Sequence, residues 1–80
     1  MKARIHITLK PGILDPQGKT IQQALNGLGF REIGEVRAGK LIEIELNAAD
    51  LKRACLMIEE ACEKLLANPV IEEFRYEILE

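Results

Sequence analysis

Residues 10–20 read Lys10-Pro11-Gly12-Ile13-Leu14-Asp15-Pro16-Gln17-Gly18-Lys19-Thr20. The two prolines fix their own φ and push the residues before them towards extended conformations. The two glycines can adopt backbone angles that other residues avoid. A loop that only reversed the chain could be shorter and more flexible. The stretch is therefore interpreted either as a rigid connector or as a shaped surface presented to a partner.

A strand pattern precedes this loop and a helix pattern follows it. Polar and apolar residues alternate over residues 3–9, which predicts a half-buried strand. Beyond the loop, apolar residues recur at three- and four-residue steps, which predicts a helix with one apolar face: Ile21, Ala24, Leu25 and Leu28. Gly29 is a natural stop for this helix. Phe30 is then expected to pack back onto the core.

Two short extended runs come next, at residues 33–37 and 41–46. The segment between them, Ala38-Gly39-Lys40, predicts a tight hairpin turn in which Gly39 is free to adopt a positive φ. Its two flanking runs are expected to pair as neighbouring antiparallel strands.

A long apolar stripe over residues 51–65 predicts a second helix, which Asn47 or Asp50 could cap. Asn68-Pro69 is expected to end it, because the residue before a proline resists the helical region. Residues 70–79 alternate again and predict the last strand. The order is βαββαβ, so we expect one α+β domain over residues 1–80 with a ferredoxin-like plan, in which both helices cover one face of an antiparallel sheet.

Composition limits the partners of the chain. It has 11 Lys and Arg against 13 Asp and Glu, a net charge of −2, and this balance argues against binding nucleic acid. No apolar run approaches the length that crosses a bilayer, so we expect no membrane contact and a cytoplasmic location. Eighty residues support only a small core, and the outer strands expose unpaired backbone groups. A homodimer is therefore expected, with a tetramer also allowed.

The residues that could carry chemistry are few. The chain has no serine, and its one histidine, His6, lies on the polar side of the first strand, with Glu43 and Glu45 as potential neighbours. A lone histidine needs several carboxylate partners to hold a metal, so a solvated face is the better interpretation. Cys55 and Cys62 are seven residues apart on one helix face and are interpreted as small buried hydrophobic residues. We expect no catalytic residue and no metal site.

Gly18-Lys19-Thr20 is similar to the end of a phosphate-binding loop. Five residues separate Gly12 from Gly18 where that motif requires four, so nucleotide binding by this chain is not expected. A weak anion site at the N-terminus of the first helix stays open. The polar face of the predicted sheet also lacks the aromatic residues with which RNA-binding domains of this plan stack bases.

Three blocks of the sequence, in the same order and at similar separations, resemble motifs of the PurS family. The first is Leu9–Lys19, the second is Val36–Lys40 followed by Glu43, and the third is Cys62–Glu72. Together they span almost the whole chain. The resemblance implies a small, non-catalytic subunit of phosphoribosylformylglycinamidine (FGAM) synthase. It further implies that this subunit joins a large ATP-using synthetase subunit to a glutaminase subunit, as a dimer. Any ATP and Mg²⁺ would then bind to the large subunit, and this chain would need no cofactor.

Under this hypothesis, nine residues are the candidates for partner contacts. They come from the first loop, the predicted hairpin and the end of the second helix: Asp15, Pro16, Gln17, Gly18, Arg37, Gly39, Lys40, Asn68 and Pro69. Each could instead have a purely structural role. The alternative function is a free-standing regulatory domain that binds a small metabolite between subunits. An enzyme in its own right is disfavoured because no plausible nucleophile is present.

Overall fold

The computed structural model describes all residues from 1 to 80. Its elements are, in chain order, β1 (Lys2–Leu9), α1 (Pro16–Gly27), β2 (Gly39–Glu45), α2 (Leu51–Ala61) running into a π-helical turn (Cys62–Leu66), and β3 (Glu72–Leu79). The α+β class and the antiparallel sheet are confirmed. None of the helices is long and apolar enough to span a bilayer.

The sheet has the strand order β2-β1-β3, and both pairings are antiparallel. At its centre Ile5 lies opposite Ile42 on one side and Tyr76 on the other. Because side chains alternate between the faces of a sheet, the even and odd residues of β1 separate cleanly. Ala3, Ile5 and Ile7 are fully buried or nearly so and form the floor of the core.

The second helix covers the apolar face of the sheet. Ala54, Ile58 and Cys62 recur at four-residue intervals and are buried, and Ile58 and Cys62 join the core that contains the buried residues of β1. Asp50 is the N-cap, since its side chain accepts a hydrogen bond of 2.8 Å from the backbone N–H of Arg53. This confirms one of the two predicted caps.

The strand predicted at residues 33–37 does not form. This segment has no regular secondary structure and lies outside the sheet, so the sheet has three strands instead of four and the predicted hairpin turn is wrong. Hydrogen bonds hold the end of the segment against the first loop instead. The N–H of Ala38 donates to the side chain of Asp15, and the guanidinium of Arg37 donates to the carbonyl of Ile13. Gly39 is the first residue of β2 and has no positive φ. Position 39 favours glycine because a Cβ there would lie 2.8 Å from the carbonyl oxygen of Ile7.

The first helix forms where predicted but does not pack as predicted. Gly29 follows it with φ +105°, which confirms the glycine stop. However, α1 makes no substantial contact with the sheet or with α2, so the expectation of two helices packed on one face is not met within the single chain. Leu28 is 75% exposed and Phe30 is 53% exposed, so the packing of Phe30 onto the core is also wrong. The helix instead extends the molecule, which measures 51 × 27 × 14 Å.

Candidate partner interface

The nine predicted contact residues come together at one end of the sheet. There the chain leaves β1 and enters β2 and β3, and three loops meet: residues 10–15, 34–38 and 67–71. We call this region the loop junction. The junction brings together residues that are up to 59 positions apart in the sequence.

Asp15 holds the first two loops of the junction together. It is only 7% exposed, and its carboxylate accepts two backbone hydrogen bonds of 2.8 Å, from Gly18 and from Ala38. The first bond caps α1, and the second fixes the chain just before β2. The N–H of Gly18, and then that of Ala38, lowers the pKa of Asp15 below its ordinary value. The carboxylate of Asp15 therefore stabilises contacts within its own chain.

Gly18 allows the close approach that this arrangement requires. A Cβ at this position would collide with the carbonyl oxygen of Val36 and would lie 2.9 Å from its carbonyl carbon. Gly18 is buried in the first turn of α1, with its N–H engaged by Asp15. Since that N–H is taken, an anion site at this helix N-terminus has lost one of its donors.

Arg37 also connects the loop at residues 34–38 to the loop at residues 10–15. Its guanidinium donates to the carbonyl oxygen of Ile13 at 2.9 Å, to that of Lys10 at 3.2 Å and to that of Leu9 at 3.4 Å. Three carbonyls that converge on one planar fork are well matched to arginine and poorly matched to lysine. The loop at residues 10–13 is thus held in shape by a side chain from beyond α1.

The third loop is tied to the first by Lys10 and to β2 by Glu72. The ammonium of Lys10 donates to the carbonyl oxygen of Pro69 at 2.7 Å. The carboxylate of Glu72 accepts from the N–H of Asn68 at 2.8 Å and lies 3.7 Å from the ammonium of Lys40. Sequence reasoning singled out Asn68, Pro69 and Lys40 but did not assign a role to Glu72 or to Lys10. Both lie within motif blocks, which was the only signal available.

The nine residues therefore divide into two groups. In the first group, contacts within the chain occupy the polar groups of Asp15 and Arg37 and leave no room for a Cβ at Gly18 or Gly39. The exposed members at the junction surface are Pro16, Gln17, Lys40, Asn68 and Pro69. These five residues, together with the exposed Arg37, offer side-chain surface to a partner.

The rest of the chain presents no assembled catalytic group. No set of three or more His, Cys, Asp or Glu side chains converges anywhere. His6 lies opposite Leu41 and Arg75. The carboxylate of Glu43 accepts a hydrogen bond from Arg4 instead. Burial raises the pKa of the Cys62 thiol, which keeps it protonated and poorly nucleophilic at neutral pH. Burial likewise raises the pKa of Tyr76 to about 12.

The profile of the family described as "PurS: Phosphoribosylformylglycinamidine (FGAM) synthase" matches residues 2–80. The chain belongs to the PurS family. It is 42% identical over 79 residues to the phosphoribosylformylglycinamidine synthase subunit PurS of Bacillus subtilis, covering 99% of this chain and 93% of the relative. The PurS subunit of Methanocaldococcus jannaschii is 44% identical over 77 residues, with 96% and 93% covered.

Solved PurS structures share the fold. The crystal structure of Bacillus subtilis PurS superposes with a TM-score of 0.87 at 42% identity, covering 99% of this chain and 98% of that one. A chain in the structure of PurLQS from Thermotoga maritima superposes with a TM-score of 0.90 at 33% identity, covering 98% and 95%. The predicted PurS resemblance and the α+β class with an antiparallel sheet are both confirmed.

Proposed function

We propose that this chain is the small, non-catalytic subunit of FGAM synthase in purine biosynthesis. It bridges the ATP-dependent synthetase subunit and the glutaminase subunit, so that ammonia released from glutamine is used for amidine formation. The observation that carries the proposal is the PurS match across residues 2–80. The chain itself holds no cofactor; ATP and Mg²⁺ bind to the large subunit, and the assembly works in the cytoplasm.

The loop junction supports this role because hydrogen bonds within the single chain already hold its loops together. Arg37 and Asp15 clamp the first loop to the segment before β2, and Lys10 fixes the third loop. Ordering a mobile side chain on binding costs about 0.5–1.5 kcal/mol, and a surface that is already ordered avoids part of that cost. The exposed Gln17 and Lys40 then make the partner contacts.

Self-association is part of the proposal, as a homodimer with a tetramer also allowed. Both β2 and β3 are edge strands, since β1 lies between them. Edge strands carry unpaired N–H and C=O groups that favour pairing with another chain. Only 9 of 80 residues are buried in the single chain, which is too little core for independent stability.

Reconstitution tests the bridging role. The two partner subunits, formylglycinamide ribonucleotide, ATP and glutamine are mixed with and without this chain, and FGAM formation is measured. We expect glutamine-dependent synthesis to require the chain. Synthesis from added ammonium ions should not require it, because free ammonia bypasses the glutaminase. Equal glutamine-dependent rates with and without the chain would show that the bridging role is wrong.

A matched pair of glutamines, Gln17 and Gln23, tests whether the exposed surface of the loop junction contacts a partner. Gln17→Ala removes an exposed side chain at the loop junction, and Gln23→Ala removes an exposed one further along α1. Neither side chain makes a hydrogen bond within the chain, so both variants should keep the wild-type unfolding midpoint. We expect Gln17→Ala alone to raise the chain concentration needed for half-maximal synthesis, by about 5-fold for a contact of roughly 1 kcal/mol. Equal behaviour of the two variants removes Gln17 from the interface.

The metabolite-binding alternative is separated from the bridging role by calorimetry. An open cleft of about 410 Å³ lies beside the first loop, lined by Lys19, Gln22 and Arg37 among others. The guanidinium of Arg37 is already directed at backbone carbonyls, which weakens the cleft as an anion site. Saturable binding of purine nucleotides or amino acids by the chain without its partners would favour the alternative.

A further inference from the structure

An open cleft of about 300 Å³ lies between the end of α2 and the start of β3. Its walls include Cys62 and Ala67, which are buried, and Phe74, which packs against the core. We call this feature the α2–β3 cleft. It reaches the edge of the hydrophobic core at the point where α2 gives way to the π-helical turn. Turns of this type are frequent at functional sites.

The mouth of the α2–β3 cleft carries more negative than positive charge. Glu63, Glu72 and Glu73 line it, and Lys10 is its only basic residue. The ammonium of Lys10 donates to the carbonyl oxygen of Pro69 at 2.7 Å. Residues 59–80, which supply all of the lining except Lys10, hold seven Asp and Glu against two Lys and Arg, whereas the rest of the chain holds six against nine. The cleft is therefore complementary in charge to a cation.

Glu63 is the carboxylate at this mouth that is free to bind a cation. Glu72 is already engaged by a backbone N–H and by an ammonium group, and the side chain of Glu73, the next residue of β3, points to the opposite face of the sheet. Glu63 is exposed and makes no hydrogen bond or ion pair within the chain. Burial, and then the charges of Glu59 and Glu63, raise the pKa of the Cys62 thiol. The carboxylate of Glu63 thus lies close to the wall of the cleft.

We infer that the α2–β3 cleft binds an arginine side chain of one of the two partner subunits. The methylene groups of this arginine lie along Ala67 and Phe74, and its guanidinium pairs with the carboxylate of Glu63. Arginine fits better than lysine because a planar guanidinium stacks on an aromatic ring and donates two parallel hydrogen bonds to one carboxylate. Arginine is also enriched among the residues that dominate binding energy at interfaces. This inference rests on the proposed function and specifies one of its contacts.

Titration calorimetry of the chain against each purified partner subunit tests the charge contact. Glu63→Gln removes the charge and keeps the shape of the side chain. Glu45→Gln makes the same change at the opposite end of the sheet, where Glu45 is exposed and has no ion pair. We expect Glu63→Gln to raise the dissociation constant for one partner subunit at least about 10-fold, because hydrogen bonds to charged groups are the stronger ones. Glu45→Gln should change it by less than about 3-fold. Equal dissociation constants for the two variants overturn the inference.

Protection from phenylglyoxal, which modifies guanidinium groups, identifies the side chain in the cleft. Each partner subunit is treated alone, with saturating wild-type chain and with saturating Glu63→Gln chain, and its modified arginines are mapped by mass spectrometry. We expect one arginine that the wild-type chain protects and that reacts again in the complex with Glu63→Gln. The inference is wrong if no arginine shows this pattern. It is also wrong if sedimentation equilibrium shows that Glu63→Gln alone weakens self-association, since a second copy of the chain then occupies the cleft.

Failure of the arginine contact and failure of the proposed function give different results. If glutamine-dependent synthesis requires the chain but Glu63→Gln binds both partner subunits as the wild type does, the arginine contact alone is overturned. If binding and arginine protection depend on Glu63 but synthesis proceeds equally well without the chain, the bridging role alone is overturned.

Discussion

The Gly18→Ala substitution places a Cβ against the peptide of Val36. The new atom lies 2.9 Å from the Val36 carbonyl carbon and closer still to its oxygen. That carbonyl cannot move away freely, because the next two residues are held by Arg37 donating to Ile13 and by Ala38 donating to Asp15. Forcing an extra methyl group into a packed site costs about 1–3 kcal/mol. The loop junction should therefore open.

Gly27, in the same helix, serves as the control that isolates the free-energy cost of the clash at Gly18. Gly27→Ala, at the end of α1, places a Cβ in open space with nothing within 4 Å. Both substitutions gain up to about 1 kcal/mol of helix preference, and that gain largely cancels when the two variants are compared. The free energy of unfolding of Gly18→Ala should therefore fall about 1–3 kcal/mol below that of Gly27→Ala.

Urea unfolding at one fixed protein concentration measures this difference, since self-association makes stability depend on concentration. Thermal unfolding provides a second measure, because each 1 kcal/mol shifts the midpoint of a domain of this size by about 4–8 °C. Gly27→Ala should be as stable as the wild type or slightly more so. If the two variants are equally stable, the close approach between α1 and the segment at residues 36–38 does not hold the junction together.

Two further predictions concern the junction. Asp15 has a pKa below its ordinary value of 3.8, so the stability it contributes is present above that value and is lost as the pH falls through the lower folded-state pKa. The stability deficit of Asp15→Asn, measured by urea unfolding, should therefore be largest near pH 7 and shrink towards pH 3; a deficit independent of pH contradicts this. Arg37→Lys cannot reach three carbonyls at once, so hydrogen exchange at residues 10–13 should become faster, while Arg75→Lys on the open sheet face leaves it unchanged. Unchanged exchange in Arg37→Lys would remove its proposed role as a clamp.

Local patterns determined most of the secondary structure. The alternation of residues 3–9, the cap at Asp50 and the stop at Gly29 each depend on neighbours within a few residues. For that reason the sequence predicted β1, β2, β3 and both helices correctly. The three motif blocks likewise identified the PurS family. The sequence could not predict which motif residues make contacts within the chain and which stay exposed, because Asp15 and Ala38 meet only in the folded chain.

The position of the first helix was decided by tertiary structure alone. The sequence established that α1 has one apolar face, but an apolar stripe does not specify which surface will cover it. Residues 33–37 had the pattern of a strand, yet the C-terminal end of this segment is held by the side chains of Asp15 and Arg37 instead of by strand pairing. Sheet formation needs a partner strand within hydrogen-bonding distance. The hydrogen bonds of Asp15 and Arg37 hold the end of this segment against the first loop instead.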